Sequence, residues 1–267
     1  MINFPTCKIN LGLHILRKRE DGYHDVETAM LELPFHDILE GIESEEAVFS
    51  TSGLEIPGSG NLVLDAEAEF RNYRSFPKMA FHLHKMIPMG GGLGGGSSDA
   101  AFALKLIRDH YAPEVDNQQL KEMAAKIGSD CAFFIEGGLQ YAVGRGEVLS
   151  PLNVDLKGKF VVLVNLGIHV STKEAYEGVV PDDSRSSLKE ILEKPFASWK
   201  EFLVNDFETS VFRKYPDLAV VKEDLYRNGA VYAAMTGSGS TLFGIFDSEI
   251  SPIQWSKEVA YETYLQL

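Results

Sequence analysis

Apolar and polar residues alternate with a period of two in the first fifty residues of the chain. Residues 8–15, KINLGLHI, show this alternation most clearly, and it is typical of a half-buried strand. The polar segment that follows contains Asp21-Gly22, a pair that favours a hairpin turn. By the same pattern, further strands are predicted over 26–33, 37–42, 47–51 and 80–87. These strands are expected to pair antiparallel.

Helical periodicity replaces the alternation in later segments. Apolar residues between 100 and 111 recur at i, i+3, i+4 and i+7, which predicts a core-facing helix over about 97–110 with Ser97 or Ser98 as its N-cap. Other segments predicted as helical, or as mixed in the case of 202–212, are 61–73, 117–127, 173–177, 187–193, 202–212 and 219–228. The C-terminal strands are predicted over 160–166, 232–236 and 241–246. A domain joint near 151–159 would separate domain 1–150 from domain 151–267.

Composition and charge narrow the classes of partner. The chain has 267 residues, 45% of them hydrophobic, and a net charge of -14, so a broad nucleic-acid surface is not expected. The two cysteines, Cys7 and Cys131, suit a reduced compartment. The N-terminal residues lack the pattern of a signal peptide, and no apolar run is long enough to span a bilayer. We therefore expect a cytoplasmic protein without membrane or nucleic-acid partners, either a monomer or a homodimer.

Residues 90–99, GGGLGGGSSD, form a glycine-rich segment that leads directly into the helix predicted from about residue 97. Glycine has no side chain to block close approach, and it adopts backbone angles that other residues avoid. A loop of this kind presents backbone N–H groups next to the positive end of a helix dipole. The segment is therefore predicted to bind phosphate or another anion.

Three interpretations of this loop compete with one another. The P-loop pattern does not match, because no lysine follows the glycines. The dinucleotide fingerprint GxGxxG does match at Gly90, Gly92 and Gly95, with Asp109 beyond it, but that fold expects a parallel strand-helix-strand unit. A glycine hinge without function fits poorly, since Pro88 precedes the loop and serines begin the helix.

Four segments, in order along the chain, resemble the motifs of the GHMP kinase superfamily. Residues 88–101, PMGGGLGGGSSDAA, resemble its second motif, and 234–240, AMTGSGS, resemble its third. The first motif is matched by 8–11 with 19–24, and 128–130 resemble the GAD segment, although Cys-Ala follows where the family usually has Val-Pro. The lengthened glycine loop is similar to that of the branch whose acceptor is a cytidine-diphosphate-linked methylerythritol.

The resemblance implies an α+β protein with the two-domain GHMP kinase fold. The N-terminal domain would be ribosomal protein S5 domain 2-like, the C-terminal one ferredoxin-like, and the active site would lie in a cleft between them. The implied reaction is ATP-dependent phosphorylation of the acceptor's 2-hydroxyl, with Mg²⁺, in the non-mevalonate isoprenoid pathway. Alternatives are a mevalonate or homoserine kinase, a non-catalytic nucleotide-binding relative, and an NAD-dependent oxidoreductase.

The resemblance also implies roles for individual residues. Asp130 would be the general base and Lys8 its partner, while Asn10 lies two residues further along the same strand. The ATP site would comprise Pro88, Gly90, Gly91, Gly92, Leu93, Gly94, Gly95, Gly96, Ser97, Ser98, Asn61, Leu62 and Lys85, the last three near the adenine. Asp99 would repel a phosphate, so its carboxylate is expected to point away. Metal ligands are not assigned.

The acceptor would be bound by aromatic side chains and by the third motif. Residues implied to bind it are Asn10, Tyr23, His24, Tyr176, Gly237, Ser238 and Gly239, with Tyr176 closing an aromatic sandwich around the cytosine. The cysteines allow two interpretations: either both are buried small apolar residues, or their thiols lie near each other behind Lys8 and Asp130. The first interpretation is favoured.

Overall fold

The computed structural model describes residues 1–58 and 60–267. Its contacts divide the chain into two compact units. Unit 1 contains Met1–Lys8, Phe35–Met89 and Gly94–Gly138. Unit 2 contains Ile9–Pro34, Gly90–Leu93 and Leu139–Leu267. The units interleave along the chain, unlike the predicted linear division at residue 150, because strand pairing joins residues that are far apart in sequence.

The secondary structure confirms the predicted mixture of strands and helices. In chain order the strands are β1 (Ile2–Asn3), β2 (Thr6–Lys18), β3 (His24–His36), β4 (Ile38–Glu43), β5 (Val48–Gly53), β6 (Met79–Lys85), β7 (Leu139–Gly144), β8 (Val148–Pro151), β9 (Phe160–Asn165), β10 (Tyr232–Met235), β11 (Leu242–Phe246) and β12 (Tyr261–Gln266). The α-helices are α1 (Leu62–Tyr73), α2 (Gly95–Tyr111), α3 (Asn117–Ile127), α4 (Phe133–Glu136), α5 (Thr172–Glu177), α6 (Leu188–Leu192), α7 (Trp199–Phe202), α8 (Phe207–Lys214) and α9 (Pro216–Arg227).

Unit 1 is built on the sheet β1-β4-β6-β5 and helices α1 to α4. Strand β6 pairs antiparallel with β4 and parallel with β5, which precedes α1 in the chain. Alternate residues of β6, including Phe81 and Leu83, are buried, as its period-two pattern predicts. Phe70 of α1 and Ile107 of α2 are also fully buried. The sheet and helices of this unit therefore enclose an apolar core.

Unit 2 contains two four-stranded sheets. The first has the order β2-β3-β7-β8, in which β3 pairs antiparallel with β7. The second, β10-β11-β9-β12, is antiparallel throughout and matches the ferredoxin-like expectation. Its inner face packs in a cluster that includes Val162, Leu225 and Phe246. The strand pair predicted around residues 237–240 is confirmed as β10 and β11.

The start of helix α2 differs from the prediction. The helix begins at Gly95 with Gly94 as its N-cap, so neither Ser97 nor Ser98 is the cap. Gly94 has a φ of 70°, a left-handed conformation that glycine adopts without strain, so the first turn forms on glycines. The N-cap preference for serine therefore predicted an N-cap that is three or four residues too late.

Other boundaries moved for local reasons. Strand β6 ends at Lys85 rather than Ile87, because the N–H groups of Met86 and Ile87 donate to the Asp37 carboxylate instead of to a neighbouring strand. The mixed segment 202–212 divides into the end of α7 and the start of α8. Gly128 ends α3 as predicted. None of the helices formed by the described residues is long and apolar enough to cross a membrane.

Candidate active site

Lys8 and Asp130 meet in unit 1, as the sequence predicted. Lys8 lies on β2, and Asp130 follows the end of α3. The Lys8 Nζ is 3.5 Å from Asp130 Oδ2; the lysine side chain is 4% exposed and the aspartate side chain 32% exposed. Ser129 Oγ donates to Asp130 Oδ1 at 3.3 Å. A buried ammonium group thus holds a carboxylate that remains open to solvent, as a general base requires.

The N-terminus of α2 lies against the same lysine. A Cβ placed on Gly94 would lie 3.2 Å from Lys8 Cγ and 3.1 Å from the Phe134 ring, so glycine lets the lysine stem pass close to the helix start. No side chain caps this helix, and the first N–H groups of a helix have no partner within it. Unit 1 therefore combines the Lys8–Asp130 pair with a site suited to anions.

Ser97 and Ser98 differ in what they offer a phosphate. Ser97 is half-buried, and its side chain hydrogen-bonds the Cys131 thiol, which links the start of α2 to the segment that carries Asp130. Ser98 is fully buried, its N–H donates to Gly94, and its Oγ has no hydrogen-bond partner among the described residues. This geometry does not support the predicted phosphate contact of Ser98, because the residue lies inside the unit.

Neither Cys7 nor Cys131 forms a disulfide bond, and both are buried, as the favoured interpretation predicts. Burial, together with the neighbouring Asp130 charge, raises the pKa of the Cys131 thiol to about 11, although the hydrogen bond with Ser97 opposes the rise. A thiol of this kind is poorly ionised near neutral pH and reacts slowly with alkylating reagents. Cys131 therefore packs as a small apolar residue next to Asp130.

The side chain of Lys85 is fully buried, which corrects its prediction as an adenine contact. Its Nζ lies 2.5 Å from Asp37 Oδ2 and 2.6 Å from Asp99 Oδ2. The carboxylate of Asp99 is turned into the interior towards this lysine. Burial raises the pKa of Asp99 to about 7, with the opposing Lys85 charge lowering it and the Asp37 charge raising it. Asp37 was missed as a site residue, because the pattern of residues 37–42 predicted it only as the first residue of a strand.

Asn61 and Leu62 lie at the start of α1. Asn61 is its N-cap, and the Oδ1 atom accepts a hydrogen bond from the Val63 N–H at 2.9 Å. A Cβ on Gly96 would lie 3.6 Å from Leu62 Cδ1, so this leucine is a neighbour of the glycine segment. Both residues are half-buried. Their contact with adenine stays a prediction.

In unit 2, the first glycines of the loop pack closely against the third motif. A Cβ on Gly92 would collide with the Thr236 carbonyl oxygen, and one on Gly91 would collide with the Thr241 hydroxyl. The N–H of Thr241 donates to the Gly91 carbonyl at 3.2 Å. Glycine is therefore required at both positions because another chain segment passes within contact distance.

Asn10 takes part in this packing. Its N–H donates to Thr236 Oγ1 at 3.0 Å, and its Nδ2 donates to Thr28 Oγ1 at 3.0 Å. Only 2% of the residue is exposed. The predicted role of Asn10 in binding substrate is corrected to one that fixes β2 to the third motif. Sequence reasoning missed Thr236 and also Asn205, whose Nδ2 donates to the Gly237 carbonyl.

The third-motif loop has two glycines in the left-handed region. Gly237 and Gly239 have φ values of 56° and 93°, and the Gly239 N–H donates to the Thr236 carbonyl at 3.0 Å. The hydroxyls of Ser238 and Thr172 are 3.3 Å apart. The predicted diphosphate contact of this loop is untested by the geometry.

Pro88 and Leu93 flank the exposed part of the glycine segment. Pro88 is half-buried, Leu93 is buried and Gly90 is exposed. A Cβ on Gly90 would lie 3.2 Å from Nδ1 of His169, an exposed side chain that sequence reasoning missed. Nothing in the local sequence marks His169, because residues 90 and 169 meet only through the tertiary fold.

Two of the three predicted aromatic residues stack on each other. The rings of His24 and Tyr176 are 4.7 Å apart at 23°, and Phe207 packs edge-on against Tyr176 at 4.8 Å. Burial, with the nearby Lys18 charge, lowers the pKa of His24, so its ring is neutral near pH 7. Tyr23 is 58% exposed, with the Arg145 guanidinium 5.2 Å from its ring centroid. The ring of Tyr176 thus stacks on that of His24, and its predicted contact with cytosine stays a prediction.

The surroundings of the glycine loop contradict a dinucleotide fold. Helix α2 is followed by α3, and among the described residues no strand after α2 joins β6 in a parallel sheet. The oxidoreductase alternative required such a strand-helix-strand unit around Gly90 to Gly95. That alternative is therefore wrong.

Sequence comparison identifies two known domain families in the chain. The family described as GHMP kinases N terminal domain matches residues 61–138, and GHMP kinases C terminal matches residues 187–261. A protein of Cytophaga hutchinsonii named 4-diphosphocytidyl-2-C-methyl-D-erythritol kinase is 49% identical over 252 residues, covering 93% of each chain. A protein of Bacteroides fragilis with the same name is 43% identical and covers 100% of each chain.

Solved structures agree with these relatives. A crystal structure titled 4-(cytidine 5'-diphospho)-2C-methyl-D-erythritol kinase superposes with a TM-score of 0.80 at 32% identity, covering 93% of this chain and 91% of that one. The mevalonate kinase of Methanococcus jannaschii superposes with a TM-score of 0.67 at 14% identity, covering 92% and 90%. The second likeness concerns the fold alone.

Proposed function

The chain belongs to the GHMP kinases, among the 4-diphosphocytidyl-2-C-methyl-D-erythritol kinases, and from this premise we propose that it transfers the γ-phosphoryl group of ATP to the 2-hydroxyl of 4-diphosphocytidyl-2-C-methyl-D-erythritol. This reaction is a step of the non-mevalonate isoprenoid pathway. The observation that carries the proposal is the Lys8–Asp130 pair beside the uncapped N-terminus of α2. A phosphotransferase needs both a proton acceptor and a phosphate site.

Asp130 accepts the proton of the attacking hydroxyl. Its carboxylate is one-third exposed, so an acceptor can reach it from solvent. Lys8 keeps the carboxylate oriented, and its positive charge stabilises negative charge that develops on the substrate oxygen. The lysine side chain is buried beside the carboxylate, while the carboxylate itself stays partly open to water.

The glycine segment binds the phosphates of ATP through its backbone. The N–H groups in the first turn of α2 point towards the helix start, and the helix dipole favours negative charge there. Ser97 adds a half-buried hydroxyl. Leu62, which neighbours Gly96, would contact the adenine with Asn61.

Mg²⁺ is expected to accompany ATP. No group of three or more His, Cys, Asp or Glu side chains that could hold a metal occurs among residues 1–58 and 60–267. No residue of the chain is therefore given as a ligand, and no step is derived through the ion. Mg²⁺ is commonly held by phosphate oxygens and one or two carboxylates.

The cytidine end of the acceptor would bind next to Tyr23, His24 and Tyr176. The neutral His24 ring can donate one hydrogen bond and accept another from a base edge. Tyr176 stacks on His24, so cytosine would replace or extend that stack. Mevalonate and homoserine carry no base, and they would gain nothing from these rings.

ADP release tests the proposal. Purified protein is given Mg²⁺-ATP with the diphosphocytidyl acceptor, mevalonate or homoserine, and turnover is expected only with the first. Asp130→Asn keeps the shape of the side chain but removes the base, so kcat should fall by about 10²–10⁴-fold. Asp155→Asn is the matched control, because Asp155 is exposed and its carboxylate accepts a hydrogen bond from the Lys157 N–H within its own turn.

The other outcomes discriminate between the alternatives. Turnover with mevalonate or homoserine instead would retain the kinase and discard the substrate. ATP binding without turnover of any acceptor would favour the non-catalytic relative. Full activity of Asp130→Asn would contradict the assignment of the base.

A further inference from the structure

Two aspartates and one lysine are enclosed inside unit 1 below the start of α2. The side chains of Asp37 and Lys85 are 0% exposed, and that of Asp99 is 4% exposed. With all three groups ionised the cluster would carry one uncompensated negative charge. Burying such a charge is costly, and a buried carboxyl commonly binds a proton instead. We call these three residues the buried triad.

The two carboxyl groups of the buried triad accept different numbers of hydrogen bonds. Asp37 accepts hydrogen bonds from Lys85 Nζ at 2.5 Å and from the N–H groups of Met86 and Ile87 at 2.6 and 2.9 Å. Asp99 accepts one from Lys85 at 2.6 Å, and its Oδ1 has no partner among the described residues. Hydrogen bonds to a carboxylate favour its ionised form. A proton held by the pair therefore resides chiefly on Asp99.

The buried triad lies directly beneath the predicted phosphate site. A Cβ on Gly95, the first residue of α2, would lie 3.0 Å from Lys85 Nζ. Asp99 is the fifth residue of the same helix. An anion bound at the helix N-terminus would therefore repel an ionised Asp99 across a short, poorly screened distance. Protonation of Asp99 would remove this repulsion and leave the Lys85 charge balanced by Asp37 alone.

Charged groups on the helices packed against α2 form ion pairs with other partners. The charges that act on Asp99 are those of Lys85 from β6 and Asp37 from the segment between β3 and β4. On α1, Glu67 pairs with Arg71 and Glu69 with Lys126 of α3. Lys121 of α3 pairs with Glu136 of α4. The protonation of Asp99 thus depends mainly on Lys85, on Asp37 and on any anion bound at the start of α2.

We propose that Asp99 is a positioning residue that takes up a proton from solvent when the phosphates of ATP bind at the N-terminus of α2, so that nucleotide binding is coupled to proton uptake. The inference rests on the proposed function, because it requires ATP at this helix. No bond other than the new carboxyl O–H forms.

The unliganded state of Asp99 suits this coupling. Burial already raises its pKa to about 7, with the Asp37 charge adding to the rise and Lys85 opposing it. A group that is partly protonated near neutral pH changes its proton occupancy under a small added potential. If bound phosphate raises the pKa of Asp99 by one, the protein with ionised Asp99 would bind ATP about tenfold more weakly than the protein with protonated Asp99.

Calorimetry of Mg²⁺-ATP binding tests the coupling directly. Titrations at about pH 7.5, in two buffers with different ionisation enthalpies, count the protons taken up. Wild type is expected to take up a fraction of a proton more than Asp99→Asn, whose amide does not titrate. Between about pH 6.5 and 8.5 the affinity of wild type should fall relative to that of the variant, by up to about tenfold.

Glu67→Gln is the matched control, since Glu67 is another buried carboxylate of unit 1 but lies outside the buried triad. It should keep the proton uptake and pH dependence of wild type. Equal proton uptake in wild type and Asp99→Asn would overturn the inference while leaving the kinase assignment intact. Failure of wild type to bind ATP would overturn both. If Asp99→Asn does not fold, absence of proton uptake by wild type overturns the inference.

Discussion

Unit 1 contains two lysines that each contact aspartate, and the environments of these contacts differ. Lys8 lies 3.5 Å from an aspartate whose side chain is 32% exposed, whereas Lys85 lies 2.5 and 2.6 Å from two aspartates whose side chains are 0% and 4% exposed. An exposed carboxylate can contact a substrate directly, and an enclosed one cannot. Exposure of the acid, rather than the residue types, therefore separates the contact proposed to act in catalysis from the one proposed to position its neighbours.

Removing the lysine of the buried triad should have the largest effect on stability. Lys85→Met leaves Asp37 and Asp99 facing each other without a cation, and breaking a buried pair in this way costs about 3–5 kcal/mol. Urea unfolding at about pH 7.5 measures the loss. The loss should be smaller near pH 5, where one carboxyl binds a proton more readily. An unfolding free energy equal to that of wild type at both pH values would contradict the comparison.

The equivalent change at the other contact should affect activity instead. Lys8→Met leaves Asp130 with access to water, so the free energy of unfolding should change by about 1 kcal/mol or less. Loss of the positive charge beside the reacting oxygen should lower kcat about hundredfold. Steady-state kinetics paired with urea unfolding checks both numbers. Large destabilisation with unchanged kcat would reverse the roles assigned to the two lysines.

Asp99 should make stability depend on pH in a distinctive direction. Its pKa is raised from 3.8 to about 7, mainly by burial, so between those values the folded protein holds a proton that the unfolded chain has released. Stability from this group is therefore present at low pH and declines as pH rises towards 7, by at most about 1.4 kcal/mol per pH unit.

The Asp99→Asn variant isolates this contribution. Compared with wild type by urea unfolding at about pH 5 and pH 8, the variant should gain relative stability at the higher pH, because its amide has no charge to bury. The same difference between the two proteins at both pH values would show that Asp99 does not titrate in this window.

An exposed lysine contact should give the smallest effect. The Lys126 side chain is 66% exposed and its Nζ lies 2.6 Å from Glu69 Oε1, a shorter distance than in the Lys8–Asp130 pair. Lys126→Met should change the free energy of unfolding by about 0–1 kcal/mol and leave kcat unchanged, because water screens the pair. A loss of unfolding free energy comparable to that of Lys85→Met would mean that distance, rather than burial, determines how much these contacts contribute to stability.

The family motifs, together with local patterns, predicted several parts of the site well. The Lys8–Asp130 partnership, the strand pair around the third motif and the end of α3 at Gly128 are all confirmed. Other assignments failed because neighbouring residues are not visible in a local pattern. Lys85 and Asn10 looked like ligand contacts, yet Asp37 and Asp99 enclose the first, and Thr28 and Thr236 bind the second. Ser98 resembled a helix cap but lies inside the unit.

The sequence by itself determined the family, the α+β class and the glycine loop, because each of these depends on residue types within short motifs. The pairing of Lys8 with Asp130 was implied by the resemblance of their motifs to those of the family, and not by any local spacing. Only the tertiary structure decided which side chains are open to a substrate. Asp37 and Lys85 are separated by 48 positions, and strand register and burial bring them together. The desolvation of a charge depends on everything packed around it, and no short stretch of sequence contains that information.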